Sequence, residues 1–213
     1  MLTHENALYE SGYHSIAGVD EAGRGPLAGP VVAAAVILHR DVPIPGVNDS
    51  KKLSESRREY LYEEIVQQCV GYAVGIISNE AIDRLNILRA SLEAMKLAIL
   101  RLPIEPDYIL IDGLYCPDVH MAMNALPHGD SLSLSIAAAS IVAKVTRDRI
   151  MRKLDRAYPQ YGFVRNKGYP TPEHLATLDK FGPCKIHRRS FGPVTKKLYQ
   201  LEIPLSDRTP GLH

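Results

Sequence analysis

The chain has 213 residues, of which 46% are hydrophobic and 23% charged, and this composition excludes a disordered or collagen-like protein. A chain of this length buries about 70% of its unfolded surface in one core, so we expect one domain, or one domain with a helical appendage. The formal net charge of +1, taken alone, argues against a nucleic-acid partner, because phosphate binding needs clustered Lys and Arg.

The charge is divided unevenly along the chain. Residues 144–197 contain 14 Lys and Arg against four Asp and Glu, which gives +10, so the remaining residues sum to −9. A basic segment joined to an acidic body favours an electrostatic contact with an anionic partner such as nucleic acid.

No segment indicates a secreted or membrane protein. The first ten residues lack the basic start and apolar run of a signal peptide, and the longest apolar run, residues 31–38, is far shorter than the roughly 20 residues that cross a bilayer. The three cysteines, Cys69, Cys116 and Cys184, are widely spaced and form no C-x-x-C motif. We therefore expect a reduced, cytoplasmic protein without a disulfide framework or a zinc knuckle.

The first predicted elements are strands. Residues 16–19 and the apolar run from Val31 form a hairpin-like pair, separated by a Gly- and Pro-rich turn at 23–30. A helix follows Ser54, its predicted N-cap, and residues 72–77 form the next strand.

The middle of the chain adds helices and a buried strand. Asn86 is the predicted cap of a helix that Pro103 ends. Residues 108–112 are continuously apolar, which is typical of a strand covered on both faces, and a shorter strand is predicted at 120–125. Nothing breaks a helix from 132 to 158, so the longest helix is expected there.

After Pro159 the sequence becomes irregular and basic, with a short helix from Thr171 onward. Strands come early and helices late, which predicts an α/β fold: a mixed sheet with helices against it and a basic C-terminal extension. We place the catalytic domain at residues 1–158 and the extension at 159–213, packed on the same domain.

Four carboxylates stand at the ends of predicted elements: Asp20, Glu21, Asp112 and Asp130. Side chains at strand ends converge in open sheets, and acids brought together repel each other unless a cation lies among them. Mg²⁺ prefers such oxygen ligands. Each acid alone is more often a solvated residue or a helix cap, and neighbours in a strand point to opposite faces. The positions of these acids in the sequence are therefore compatible with a metal site but do not establish one.

Gly23, Arg24 and Gly25 directly follow the first acidic pair. The glycines expose backbone amides, and the Arg24 guanidinium can grip a phosphate. The segment is not a P-loop, and an ordinary tight turn explains it equally well when it is judged alone.

Eight sequence blocks stand in a characteristic order along the chain. The first is GVDEAGRGPLAGPVV, from Gly18, and it is followed by NDSKKLS, LIDG, GDS, AASIVAKVTRD, YPQYGF, NKGYPT and RRSFGP. These blocks and their order resemble those of bacterial ribonuclease HII, the type 2 ribonuclease H family, and the first block is similar to the opening signature of that family.

This resemblance implies a ribonuclease H-like fold, with a central mixed five-stranded sheet flanked by helices and a C-terminal helical extension that contacts substrate. It implies an endonuclease that cleaves RNA in RNA–DNA hybrids and at single ribonucleotides in duplex DNA. Two Mn²⁺ or Mg²⁺ ions would be held, with substrate bound, by the positions that match the family's ligands: Asp20, Glu21, Asp112 and Asp130. The turn Gly23, Arg24 and Gly25 would contact the 2′-hydroxyl, and Tyr169 would stack on the sugar.

For such an enzyme the candidate phosphate contacts are basic residues: Lys51, Lys144, Arg147, Arg165, Lys167, Arg188 and Arg189. Each one alone is as easily a solvated surface residue. Two segments depart from the family pattern, residues 132–135 (LSLS), where a polar and often basic stretch is usual, and residues 114–115 (LY). These departures concern the grip on substrate and not the predicted metal ligands.

Gln200 to Leu205, with the sequence QLEIPL, resembles the short motif by which some bacterial proteins dock on the replication sliding clamp. We expect a monomer.

Two alternative functions remain at this point: another nuclease or strand-transfer enzyme on the same fold, and a non-catalytic module that binds nucleic acid through its basic segment. The second alternative leaves the four acids unexplained.

Overall fold

A computed structural model describes residues 1–42, 44–48 and 50–202. The described helices are α1 (Thr3–Glu10), α2 (Glu55–Gln68), α3 (Asn79–Leu85), α4 (Ile87–Leu100), α5 (Gly129–Leu132), α6 (Leu134–Ala157), α7 (Phe163–Asn166), α8 (Pro172–Phe181) and α9 (Gly192–Glu202). The strands are β1 (Ile16–Ala22), β2 (Val31–Ile37), β3 (Gly71–Ile77), β4 (Tyr108–Asp112) and β5 (Met123–Leu126). Short 3-10 helices lie at Ser50–Lys52 and Pro159–Tyr161.

The five strands form one mixed sheet in the order β3-β2-β1-β4-β5, which confirms the predicted sheet. β2 is antiparallel to both β1 and β3, whereas β4 is parallel to both β1 and β5. Because β1 and β4 are parallel, their carboxyl ends lie at the same edge of the sheet. This edge carries Asp20 and Glu21 from β1 and Asp112 from β4.

Helices cover both faces of the sheet. Ala34 and Val36 of β2 pack in the cluster that includes α2 and α6, while Ala33 and Ala35 face the cluster that includes α4. Burial on both faces explains the uninterrupted apolar run of β2. The contact with α6 is close, since a Cβ on Gly18 would lie 2.0 Å from the carbonyl carbon of Ser135. α6 is therefore fixed directly across β1.

Two predicted helix caps are confirmed. The Ser54 hydroxyl accepts a hydrogen bond from the Arg57 N–H at 3.2 Å, and the Asn86 side chain accepts one from the Arg89 N–H at 3.1 Å. The short strand expected at 120–125 is present at Met123–Leu126. Helices α1 and α3 were not predicted, since neither has a long apolar periodicity.

The longest helix predicted at 132–158 is confirmed as α6, the longest of the described helices, but it begins at Leu134 and not at Leu132, because the chain separates α5 from α6 at Ser133. Ser133 has an extended backbone (φ −117°, ψ 132°), and its hydroxyl caps α6 by accepting from the Ile136 N–H at 3.2 Å. Glu5 of α1 accepts from the Ser133 hydroxyl at 2.6 Å and from the Ser135 N–H at 2.9 Å. Asp130 consequently lies in its own short helix, α5.

The C-terminal extension packs against the segment that links β1 to β2. The Leu27 N–H donates to the Gly168 carbonyl at 2.7 Å, the Gly29 N–H to the Ile186 carbonyl at 2.9 Å, and the Arg188 N–H to the Leu27 carbonyl at 2.8 Å. The boundary at residue 158 stays a prediction. Among the helices that the structure describes, none has the length and apolar character needed to cross a membrane.

Candidate active site

The carboxyl ends of β1 and β4 open into a cleft of about 280 Å³. Its lining includes three of the four predicted acids, the whole Gly-Arg-Gly turn, two predicted phosphate contacts and the predicted stacking residue: Asp20, Glu21, Asp112, Gly23, Arg24, Gly25, Lys51, Lys144 and Tyr169. A larger cleft, of about 780 Å³, lies at the opposite end of β4 and contains none of these residues.

Asp20 and Glu21 both line the cleft although they are neighbours in a strand. The pairing of β1 with β4 ends at Val19, so the two acids extend past the strand beside them. Asp20 Oδ1 accepts the Glu21 N–H at 2.6 Å, and the Ser140 hydroxyl of α6 hydrogen bonds to the same carboxylate. Both acids therefore reach the cleft from the last residues of β1, where only β2 still pairs with the strand.

The acids of the cleft interact electrostatically. Burial, followed by the negative charges of Glu21 and Asp112, raises the pKa of Asp20 well above its usual range. Burial also raises the pKa of Glu21, against the opposing effect of Arg24. The pKa of Asp112 is raised by burial and by the charge of Asp130. The mutual repulsion of the carboxylates helps to raise these pKa values, and the same concentration of negative charge would attract a cation.

Two basic side chains lie against the acids. Arg24 Nη1 is 3.1 Å from Glu21 Oε1, and Lys51 Nζ is 3.0 Å from Asp130 Oδ2. Asp130 is not part of the cleft lining and lies behind Lys51. Asp112 connects it to the cleft, since Asp112 Oδ1 accepts the N–H of Gly129, the first residue of α5, at 2.7 Å.

In the described part of the chain, no three His, Cys, Asp or Glu side chains already have the spacing of a metal site. The chemistry of the cleft nevertheless fits a divalent cation. Its acids offer only oxygen ligands, and Glu21 Oε2 is buried without a hydrogen-bond partner. The Lys51 and Arg24 side chains are 78% and 50% exposed, so both ion pairs with the acids are open to solvent.

Arg147 and Arg188 are not placed for the phosphate contacts predicted for them. Both are fully buried, at 1% and 0% exposure. Arg188 donates to the carbonyls of Gly23 at 2.6 Å and Arg24 at 3.0 Å, and also to those of Gly29 and Pro30. Arg147 donates to the carbonyls of Ala28, Pro30 and Lys167. Arg188 therefore holds the Gly-Arg-Gly turn from behind, and Arg147 holds the segment that follows the turn.

The other predicted phosphate contacts occupy different surroundings. Lys144 lines the cleft, with its Nζ 2.7 Å from Asp148 Oδ1, and burial lowers its pKa. Lys167 is only 9% exposed, and its Nζ lies 3.6 Å from Glu55 Oε1 of α2. Arg165 is at the surface and pairs with Glu173. Phosphate binding by these residues stays a prediction.

Tyr169 lies beside the turn. Its ring is 40% exposed, and a Cβ on Gly25 would be 3.5 Å from that ring. The polar residues Ser50, Arg58 and Ser140 also line the cleft, although none of them is predicted as a site residue from the sequence. The only sequence signal for Ser140 was its place in a family-like block, AASIVAKVTRD, because a serine inside an apolar helix does not by itself indicate a site.

Comparisons with known proteins agree with this geometry. A sequence profile described as Ribonuclease HII matches residues 17–194. The chain belongs to the ribonuclease HII family. A protein of Acetivibrio thermocellus named Ribonuclease HII is 54% identical over 191 residues, which is 90% of this chain and 75% of the relative.

Two solved structures resemble this ribonuclease HII in fold. The ribonuclease H2 of Pyrococcus horikoshii OT3 has a TM-score of 0.76 at 28% identity, covering 88% of this chain and 98% of the other. A PCNA:RNase HII complex from Archaeoglobus fulgidus matches with a TM-score of 0.71 at 30% identity, covering 84% and 96%. The predicted ribonuclease H-like fold is confirmed.

Proposed function

We propose that this cleft is where the enzyme cuts, both in RNA–DNA hybrids and at a single ribonucleotide within duplex DNA, leaving a 5′-phosphate and a 3′-hydroxyl. The chain is an endoribonuclease that acts on RNA in RNA–DNA hybrids, as its family membership establishes. The proposal is supported by one observation above all: acids, the Gly-Arg-Gly turn and Tyr169 line one cleft at the sheet edge.

The ribonuclease H family depends on divalent metal ions. We propose that Asp20 and Asp112 hold two Mn²⁺ or Mg²⁺ ions most directly and that Glu21 and Asp130 complete the ligand set. Such ions, when bound, neutralise charge on the phosphate and make water more acidic. The carboxylates would hold these ions, and the buried Ser140 hydroxyl, which hydrogen bonds to Asp20, fixes one rotamer of that carboxylate.

Recognition of the ribonucleotide is assigned to the turn and to Tyr169. The 2′-hydroxyl is the group that distinguishes RNA from DNA at one residue, so the protein groups that recognise it must approach it closely. Gly23 and Gly25 carry no side chains to block their amides, and Arg24 is half exposed beside Glu21. We propose that the Tyr169 ring stacks on the sugar while Lys51 and Lys144 contact phosphates.

The test is cleavage of a duplex DNA that contains one ribonucleotide, with Mn²⁺ or Mg²⁺ added. Asp20→Asn should lower the rate on the order of 100-fold or more and should weaken Mn²⁺ binding measured by calorimetry, because it removes a negative ligand. Asp118→Asn is the matched control, since Asp118 is 96% exposed and pairs only at 3.4 Å with Lys96, outside the cleft. Equal rates for Asp20→Asn and the parent enzyme would refute the proposal.

A second proposal concerns the tail. The Archaeoglobus fulgidus relative was solved in a complex with PCNA, which is consistent with docking on a sliding clamp. We propose that Gln200 to Leu205 docks on such a clamp; residues 203–205 lie outside the described residues, and Leu201, at the end of α9, is 54% exposed. Leu205→Ala should abolish retention on an immobilised bacterial clamp while cleavage of a short duplex is unchanged. Unaltered retention would remove the idea. That the enzyme is a monomer stays a prediction.

A further inference from the structure

Two buried histidines face each other in the C-terminal extension. His174 of α8 is 0% exposed and His187 is 1% exposed, and their Nε2 atoms are 3.0 Å apart. Neither residue lines the catalytic cleft. A contact of this length between two nitrogens requires that one carries a proton and the other does not.

The surrounding groups fix which nitrogen carries each proton. His174 Nδ1 lies 2.8 Å from the Tyr169 carbonyl oxygen, which can only accept, so Nδ1 is protonated. At the other end, His187 Nδ1 accepts the Cys184 N–H at 3.0 Å, so His187 carries its proton on Nε2. His187 Nε2 therefore donates to His174 Nε2, and all four ring nitrogens are satisfied with both rings neutral.

The environment keeps both rings neutral. The Tyr161 ring lies edge-on to His187 at 4.9 Å and Phe163 lies edge-on to His174 at 5.4 Å, between centroids. Burial lowers the pKa of His174, and burial together with His174 lowers the pKa of His187 to about 4. A proton added to either ring would set two N–H groups against each other and break the chain of hydrogen bonds.

This series of hydrogen bonds ends at the backbone carbonyl of Tyr169, whose ring lies beside the Gly-Arg-Gly turn. The Tyr169 carbonyl also accepts the Thr171 N–H at 2.8 Å, so two donors from the start of α8 hold it. His187 pairs through its backbone with Ala28, in the segment that follows the Gly-Arg-Gly turn. The histidine pair thus joins the backbone of Tyr169 to the segment that carries Gly25.

We propose that His174 and His187 are positioning residues that fix Tyr169 against the Gly-Arg-Gly turn. The inference rests on the proposed role of Tyr169 at the ribonucleotide. An ordinary core pair would contribute stability alone, and then its loss would affect every substrate and every background equally.

Two amide variants of His174 remove its two side-chain hydrogen bonds separately. In His174→Asn the side-chain NH₂ replaces Nδ1 and keeps the bond to Tyr169, while the bond to His187 is lost. In His174→Gln the side-chain oxygen replaces Nε2 and keeps the bond to His187, while the donor to Tyr169 is lost. We expect His174→Gln to lower kcat/KM on the single-ribonucleotide duplex about 10-fold, as expected for a misplaced stacking ring, and His174→Asn to retain it.

The decisive measurement is a double-mutant cycle with Tyr169→Ala. Once the ring is absent, adding His174→Gln should cost nothing further in kcat/KM. A second loss of the same factor in the Tyr169→Ala background would overturn the inference, as would greater activity for His174→Gln than for His174→Asn. Val194→Ala, which loses two buried methyl groups in α9, controls for lost stability, and unfolding midpoints are measured for each variant.

The cycle also separates failure of this inference from failure of the proposed function. If Tyr169→Ala alone cleaves like the parent, the role of Tyr169 is wrong and positioning falls with it. If Tyr169→Ala is impaired but the histidine losses multiply, only the positioning role is wrong. Should His174→Gln not fold, the ring ¹⁵N shifts of the parent decide: a protonated Nδ1 on His174 and Nε2 on His187 support the chain, and any other tautomers contradict it.

Discussion

Two glycines of one turn are required for different reasons. Gly23 has φ +99°, and a Cβ there would lie 2.0 Å from Arg147 Nε and 2.9 Å from the Pro30 carbonyl. At Gly25 an added Cβ would meet only the Tyr169 ring at 3.5 Å, which is an ordinary contact. The fold therefore demands glycine at Gly23, whereas no contact within the protein requires it at Gly25.

This difference predicts opposite phenotypes. Gly25→Ala should keep the unfolding midpoint of the parent and lower cleavage at a single ribonucleotide at least about 10-fold, because the methyl group would enter the space that we propose for the 2′-hydroxyl. Gly23→Ala should instead lose about 1–3 kcal/mol of stability through backbone strain and the clash with Arg147. Thermal melts and cleavage rates measure both. Full activity in Gly25→Ala would show that this position does not read the ribonucleotide.

At the residue scale, the sequence identified residues that line the cleft more reliably than it predicted which side chains are buried. The blocks of similarity identified Asp20, Asp112 and Tyr169, and the structure places all three at one cleft. Arg147 and Arg188 were assigned to phosphates because a sequence shows charge and not surroundings. All of their carbonyl partners except Lys167, Gly23 and Pro30 among them, are more than 100 residues distant in the chain, so no local pattern could reveal them.

At the element scale, the break between α5 and α6 is decided by a helix at the other end of the chain. Local periodicity continues through the segment, and nothing near Ser133 forbids a helix. The Glu5 carboxylate of α1 takes the hydroxyl of Ser133 and the N–H of Ser135, at the positive end of α6. The departure from the family pattern at residues 132–135 thus coincides with the docking site of α1.

Glu5→Ala should therefore destabilise the protein by about 1–3 kcal/mol, because it leaves two buried donors without an acceptor. Glu10→Ala is the control, since Glu10 is exposed on the same helix. Urea unfolding of the two variants measures the difference. If both variants unfold at the same urea concentration as the parent, α1 does not hold the start of α6.

On the scale of the whole molecule, the acidic body and the basic segment partly neutralise each other. Arg149 of α6 lies 2.6 Å from Glu59 and 2.7 Å from Glu63, both in α2. Arg152 also pairs with Glu59. Arg147 and Arg188 are buried and donate their hydrogen bonds to backbone carbonyls. The +10 of residues 144–197 therefore overstates the charge that can face a nucleic acid, which composition alone could not indicate.

The salt dependence of binding reports the number of phosphates actually contacted. For the Asp20→Asn variant on an RNA–DNA hybrid, the slope of log K against log salt concentration should be nearer about −3 than the roughly −9 that ten phosphate contacts would give. Binding is measured by fluorescence anisotropy over a range of NaCl concentrations. A slope near −9 would mean that the internal ion pairs open on binding.

We propose that the acids at the edge of β1 and β4 direct water, and not the 2′-hydroxyl, to the phosphorus beside a ribonucleotide. The most direct test maps the ends that the enzyme leaves on a duplex DNA with one ribonucleotide in the presence of Mn²⁺ or Mg²⁺. We predict one 5′-phosphate and one 3′-hydroxyl end, formed by the parent and lost in Asp20→Asn. A 2′,3′-cyclic phosphate as the product would contradict the account.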